Sequence, residues 1–348
     1  MTKQITVHSP LPKNLPKQYL ELYKKNALYT VDETEVKCYR NVFVSHEGLC
    51  LKNLRFLPRS SFNIRTKYDN SFGWGYYRLV AEQYLVSTFG RSLKKLELDD
   101  KAYTLIHTKW FNYSFWLTSS LIRLYKAQLL QNETTIIYPE EWRNIAYVNE
   151  SLALFPSVKQ EPIDAGVHLQ VKQLVLPEVR EFTSAFNPAD ILAFKEYVYS
   201  HISRMSFDLN LSGKTYITRR KAKYRKIQNE NDVLGIVRTA GYDIVDFEDY
   251  SFLEQVYIMS KTRSLISIHG AGLSNIMFMP SGGNVLELMH HYEQKLDYRF
   301  TFWKLAQCSE LNYYIQFCNM IKENQNPLFN DLIVDPKLLQ NNILLMSS

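Results

Sequence analysis

Between Ala189 and Leu288 the chain alternates between helical periodicity and short apolar runs, and this alternation constrains its fold more than any other feature. Helical spacing covers Ala189–Arg204, Glu230–Thr239, Leu253–Lys261 and Leu273–Phe278, and apolar runs cover Thr215–Thr218, Tyr242–Asp246, Ser264–Ile268 and Asn284–Leu288. Strands separated by helices must return to the same edge of a sheet, which gives a parallel, doubly wound α/β domain. Upstream, the strand Ala102–Ile106, the helix Phe115–Leu130 and the strand Thr134–Tyr138 form another βαβ unit, so the first part of the chain is α/β as well.

The remaining first-domain signals are local. Gln18–Tyr29 has helical spacing, Val42–Val44 and Leu49–Leu51 flank a hairpin turn at Gly48, Phe72–Leu98 reads as a helical region, and Val171–Leu176 reads as a strand. Asn187-Pro188 is the sharpest break in the pattern. The expected division is therefore 1–187 as one α/β domain, 188–325 as a second, and 326–348 as a helical tail around Asp335–Leu345. A chain of 348 residues exceeds the size at which one core stops growing, which fits two domains.

Phosphate chemistry is suggested at two strand ends of the second domain. Ser264–Ile268 runs directly into His269, Gly270, Ala271 and Gly272, with Asn275 in the helix that follows. Glycines let a ligand approach the backbone, and a helix start supplies N–H groups without acceptors. The alternative is a turn whose glycines serve packing alone; the position at a strand's carboxyl end, where open α/β sheets bind ligands, favours a site. After Thr215–Thr218 come six basic residues between positions 219 and 226. Arg219 and Arg225 suit a pyrophosphate, because guanidinium gives forked donation from a permanent charge. Asn229 and Glu230 either join this site or cap the next helix. Glu287, near the end of Asn284–Leu288, is placed to take two ribose hydroxyls, a solvent-facing strand-end acid being the alternative.

The sequence also excludes several classes. It has no P-loop, no Asp-x-Asp pair before strand signals and no metal-spaced His cluster; Asp99-Asp100 and Asp246–Asp249 read as caps or loops. The basic residues lack the aromatic interleaving of a nucleic-acid surface, so no nucleic-acid partner is expected. Four cysteines without metal spacing, no secretory h-region and no apolar run near the length of a membrane span lead to a cytoplasmic expectation. The net charge of +6 allows peripheral contact with an anionic inner-membrane surface.

Ile217, Arg219, Arg225, Ile227, Asn229 and Glu230, then Gly241, Gln255, His269–Leu273 and Asn275, and finally Gly282 and Glu287, together resemble glycosyltransferase family 61 in order and spacing. The resemblance implies a GT-B fold, two Rossmann-like α/β domains facing across a cleft. It implies an inverting glycosyltransferase with no metal or other cofactor, whose co-substrate is a nucleoside diphosphate sugar, UDP-linked, held by the second domain. The partner would be a glycan or glycolipid acceptor, held mostly by the first domain and extended in surface polysaccharide (capsule or lipopolysaccharide) synthesis. The family's first-domain signature has an Asn, a His-Trp-like pair and an acid four positions after the His. Asn112, Trp116 and Arg123 fit it, while Phe115 replaces the His and Ser119 the acid. Neither can remove a proton from an acceptor hydroxyl, so the base is sought at other strand ends: His107 first, then Glu140. The departure leaves a second reading open, a noncatalytic sugar-nucleotide or glycan-binding scaffold.

Overall fold

The computed structural model describes residues 4–32, 36–46, 48–53, 55–57, 60, 81–82, 84–85, 88–89, 93–96, 102–106, 112–130, 134–177, 185–290, 300–321 and 329–347. They form a mixed α/β protein in two compact units, residues 1–4 with 32–182 and residues 5–31 with 183–348. Among the described residues no helix is long and apolar enough to cross a membrane.

The shorter unit is an eight-stranded sheet. It contains β3 (Val36–Val44), β4 (Cys50–Lys52), β5 (Arg55–Phe56), β6 (Leu93–Leu96), β7 (Tyr103–Leu105), β8 (Thr134–Pro139), β9 (Val158–Ile163) and β10 (His168–Pro177). β7, β8 and β9 pair in parallel, β10 runs parallel to β7 and antiparallel to β3, and β3 and β4 make the expected hairpin, with Phe43 opposite Leu51. The expected βαβ unit is present: Leu105 of β7 lies beside Ile137 of β8, and helix α2 (Leu121–Gln128) lies between them in sequence, as α3 (Ala146–Leu152) lies between β8 and β9. Two expectations need correction here. Leu93–Leu96, placed within a helical region by its spacing, is a strand paired with β10, and β9 was not foreseen because its Lys159, Gln160 and Glu161 mask a strand pattern. Most of the remaining 72–98 region lies outside the described residues.

The larger unit carries a six-stranded sheet in the order β12-β11-β13-β14-β15-β16. Its strands are β11 (Lys214–Ile217), β12 (Asp243–Val245), β13 (Ser264–Ile268), β14 (Asn284–His290), β15 (Asn312–Met320) and β16 (Leu332–Ile333). All pairs are parallel except β15 with β16. The helices are α4 (Pro188–Ile202), α5 (Glu230–Thr239), α6 (Phe252–Lys261), the 3-10 helix Ala271–Phe278, α7 (Thr301–Cys308) and α8 (Pro336–Ser347). α5 packs on α8, whereas α4, α6, α7 and the 3-10 helix pack with one another. A core of Tyr216, Val233, Val237, Ile266, Leu286, Leu339 and Ile343 fills the α5–α8 side of the sheet.

Caps set where these helices begin. Asn187 accepts from Ala189 N–H at 3.0 Å with Pro188 in the first turn, so the sequence break is itself the start of α4. Ser251 and Glu254 form a reciprocal capping box at α6. Residues 5–31 also belong to this unit. The predicted helix over Gln18–Tyr29 is shorter, α1 being Leu20–Asn26, and Tyr29 lies in strand β2 (Leu28–Asp32), which pairs with β1 (Gln4–His8). Asn14 bridges to Ile315 in both directions, at 3.0 and 2.8 Å, and Tyr19 stacks on Phe317.

Ser251→Ala removes the cap on one of the exposed first-turn amides of α6 and is expected to cost about 1 kcal/mol, read as a lower urea midpoint with unchanged slope.

Candidate functional site

The order of the larger sheet places β11 first, sends the chain to β12 on one side and then to β13 on the other. Segments leaving the carboxyl ends of β11 and β13 therefore diverge to opposite faces, and a crevice opens between them. Both segments singled out in the sequence leave from these two ends: Thr218–Glu230 follows β11 and His269–Phe278 follows β13.

The two converge. Arg225 Nη1 donates to the carbonyl of His269 at 3.1 Å. A Cβ built on Gly270 would stand 2.8 Å from Arg219 Nη1, so the absence of a side chain at Gly270 is what admits the Arg219 guanidinium. Arg219 is half-buried; burial lowers its pKa from the ordinary arginine range, with Glu248 pulling it back. Its Nε is buried without a hydrogen-bond acceptor, and its Nη2 has only a long contact of 3.5 Å to the Tyr224 carbonyl. A desolvated guanidinium with donors to spare is what an incoming anion would satisfy.

The loop carrying these arginines is fastened at both ends. At its start, Glu230 Oε1 accepts from the Tyr216 hydroxyl at 3.0 Å and from Thr218 Oγ1. At its end, Asn229 exchanges hydrogen bonds with Val334, at 2.8 and 3.0 Å, and Lys226 N–H donates to Asp331 at 2.7 Å. Asn229 occupies the position before α5 without a side-chain cap. Between these anchors Arg225 is forced to φ +60°, a left-handed conformation that costs a non-glycine residue roughly 1–2 kcal/mol.

On the β13 side the support is a buried carboxylate. Glu287 is wholly buried; one oxygen bonds His269 Nδ1 and the other accepts from the Tyr313 hydroxyl. Burial, then the Glu287 charge, pushes the Tyr313 phenol well above its usual range, so it stays a donor. Phe302 meets the His269 ring edge-on at 5.0 Å. Both oxygens of Glu287 are thus used inside the fold, which corrects the ribose contact expected from its strand-end position: the strand runs deeper than the expected site, and the acid orients His269. Asn275, also fully buried, donates to the Gly272 carbonyl at 3.1 Å and holds the turn. The turn leads into a 3-10 helix, with Gly270 and Ala271 at its start.

Two groups were missed by sequence reasoning. His290 ends β14 and is buried, its Nε2 donating to the Asn330 carbonyl at 2.9 Å. Burial most of all, then the charges of His269 and Arg225, hold its pKa down to about 4 against that hydrogen bond. The second is Asp246, read as a cap or loop residue: it is buried at the end of β12 and makes no side-chain cap. Position at the carboxyl end of a parallel strand was the available signal for both.

In the shorter unit, Asn112 caps a helical turn by accepting from Phe115 N–H at 3.0 Å, followed by a π-helical stretch, Trp116–Ser120. Trp116 is buried and donates to Ser151 at 2.8 Å. Of the two base candidates, His107 lies outside the described residues. Glu140 starts a 3-10 turn directly after β8, with Arg143 at 3.1 Å. Among the described residues no cluster of three or more His, Cys, Asp or Glu could hold a metal ion.

The Glycosyltransferase 61 family model matches residues 10–286. Among curated relatives, the EGF domain-specific O-linked N-acetylglucosamine transferase of Rattus norvegicus is 32% identical over 110 residues, 30% of this chain and 21% of that protein. Its Drosophila melanogaster counterpart is 38% identical over 77 residues, 21% of this chain and 15% of that protein. The protein O-linked-mannose beta-1,4-N-acetylglucosaminyltransferase 2 of Mus musculus is 35% identical over 81 residues, 23% of this chain and 14% of that protein. The match spans about a fifth or less of the length of these relatives.

Gly270→Ala should leave the urea midpoint close to that of the unsubstituted chain, because only a flexible side chain stands in the way of the new methyl. Pyrophosphate affinity, followed by calorimetry, should fall by about tenfold or more as Arg219 is displaced. For His290, the folded pKa lies below the unfolded one, so the unfolded chain binds the extra proton between about pH 6.5 and 4. Stability should therefore fall by up to about 3 kcal/mol as pH drops through that window, and His290→Gln should flatten the fall in urea titrations.

Proposed function

Since the chain belongs to glycosyltransferase family 61, we propose that it is an inverting, metal-independent enzyme of GT-B architecture that moves a sugar from a UDP-linked donor to a hydroxyl of a glycan acceptor. The observation that carries this reading is the convergence of Arg219 and Arg225 on His269 and Gly270 at the fork between β11 and β13.

When the bond between the anomeric carbon and the diphosphate breaks, charge accumulates on the leaving phosphate oxygens. Arg219 and Arg225 are fixed cations there, and the first N–H groups of the 3-10 helix add partial positive charge, so preorganised donors serve where a divalent ion otherwise would. His269, held by Glu287 and Phe302, keeps the carbonyl that receives Arg225 in place. The acceptor oxygen attacks the anomeric carbon from the face opposite the diphosphate, forming the new glycosidic bond as the old one breaks, and its proton passes to a general base. His107 and Glu140 are the candidates for that base. The relatives are N-acetylglucosamine transferases, which makes N-acetylglucosamine the first sugar to test. Surface polysaccharide synthesis, at the cytoplasmic face of the inner membrane, is the setting that suits a glycan acceptor and the basic net charge.

Phe115 and Ser119, where the family signature has a His and an acid, favour one second reading, a scaffold that binds sugar nucleotides without turning them over.

Incubated with UDP-N-acetylglucosamine, a glycan acceptor and EDTA, the purified chain should release UDP, and Arg225→Ala should lower the rate by about 100-fold or more. Tight donor binding with no turnover across a broad panel of donors and acceptors would replace the enzyme by the scaffold.

A further inference from the structure

β12 ends level with β11. The parallel register sets Ile217 beside Val245, and Thr218 N–H donates to the Val245 carbonyl at 2.9 Å, so Asp246 leaves the sheet next to the first residues of the cationic loop. Its side chain is only 2% exposed, yet among the described residues no N–H donates to either oxygen. Two cations lie farther off: Arg220 Nε at 3.5 Å and Lys221 Nζ at 3.9 Å, while Lys221 is also bonded to Asp249. A second acid, Glu248, also lies close by, its carboxyl pushed up by burial and then by the nearness of Asp246. A buried carboxylate flanked by a second carboxyl, with only loose ion pairs, is a site short of hydrogen-bond donors.

The same short loop borders the glycine turn. A methyl on Gly272 would lie 3.6 Å from the Phe247 ring, and Glu248 acts electrostatically on Arg219. Resting on the donor-site reading above, we propose that Asp246 accepts the vicinal ribose hydroxyls of the nucleoside diphosphate, placing the nucleoside half at the carboxyl end of β12. A vicinal diol brings two O–H donors with the spacing of a carboxylate's two oxygens. A pyrimidine edge instead offers one N–H flanked by carbonyls, which would be set against the acceptor oxygens of Asp246 and Glu248. Glu287, the acid beneath the glycine turn, is already occupied by His269 and Tyr313. The two cations near Asp246, Arg220 and Lys221, are on long side chains 56% and 45% exposed, and in this proposal they swing toward the phosphates as the ribose enters.

The experiment is calorimetry of the full chain with UDP, 2′-deoxy-UDP, 3′-deoxy-UDP and inorganic pyrophosphate, repeated on Asp246→Ala and Asp246→Asn. The unsubstituted chain should prefer UDP over either deoxy analogue by about tenfold or more. Asp246→Ala should bind all three nucleotides alike, with pyrophosphate affinity unchanged, and Asp246→Asn should keep part of the preference. Equal affinity of the unsubstituted chain for UDP and its deoxy analogues overturns the assignment. So does an Asp246→Ala variant that loses UDP, deoxy-UDP and pyrophosphate by the same factor, because Asp246 then only fastens the cationic loop. Failure of the unsubstituted chain to bind UDP or pyrophosphate at all overturns the donor-site reading itself, and the ribose contact with it.

Discussion

The fork between β11 and β13 is the constraint on which the rest of the larger unit depends. Because β11 sits between β12 and β13, the chain must leave its carboxyl end toward one face and leave β13 toward the other. Backbone connectivity cannot fill the gap between the two exits, so side chains from both loops do. Arg219 and Arg225 reach across from one loop to the His269–Gly270 backbone of the other. Without the fork these residues would have no reason to meet, whatever their spacing in sequence.

Holding like charges together requires fixed supports, and the structure supplies them from distant parts of the chain. The C-terminal segment Asp331–Val334 grips Lys226 and Asn229, and Glu230 grips Tyr216 and Thr218. The strained backbone of Arg225 is tolerated because both flanks are over-determined by these bonds. On the other side a wholly buried acid, Glu287, orients His269. Residues that a motif marks as ligand contacts are in several cases the frame that keeps the contacts in place.

The shorter unit holds the departures from the family pattern. Phe115 belongs to the Asn112-capped turn, and Ser119 to the π-helical stretch, a geometry that recurs at functional sites. Nearby, Arg123 is buried with only its Nε bonded, to the Pro177 carbonyl at 3.2 Å, and burial lowers its pKa to about 10. Its retention in an apolar setting sets it apart from the ordinary core residues around it, such as Leu121 and Leu124.

The sequence by itself determined the parallel α/β character, the strands and helices from Pro188 to His290, and the two loops that form the candidate donor site. It could do so because periodicity, caps and glycines are local signals, and β13 with its glycine turn carries them in consecutive residues. Polar or atypical strands such as β6 and β9 stayed hidden, since their pairing partners, not their composition, make them strands. Only the tertiary structure decided which of the acids in this region are closed off by hydrogen bonds inside the fold and which are not. Glu287, inside β14, and Asp246, just after β12, are both buried acids, yet Tyr313, 26 residues beyond Glu287, closes one of them, while two loosely paired cations leave the other short of donors. Hydrogen-bond satisfaction depends on neighbours far along the chain, and no local pattern encodes it.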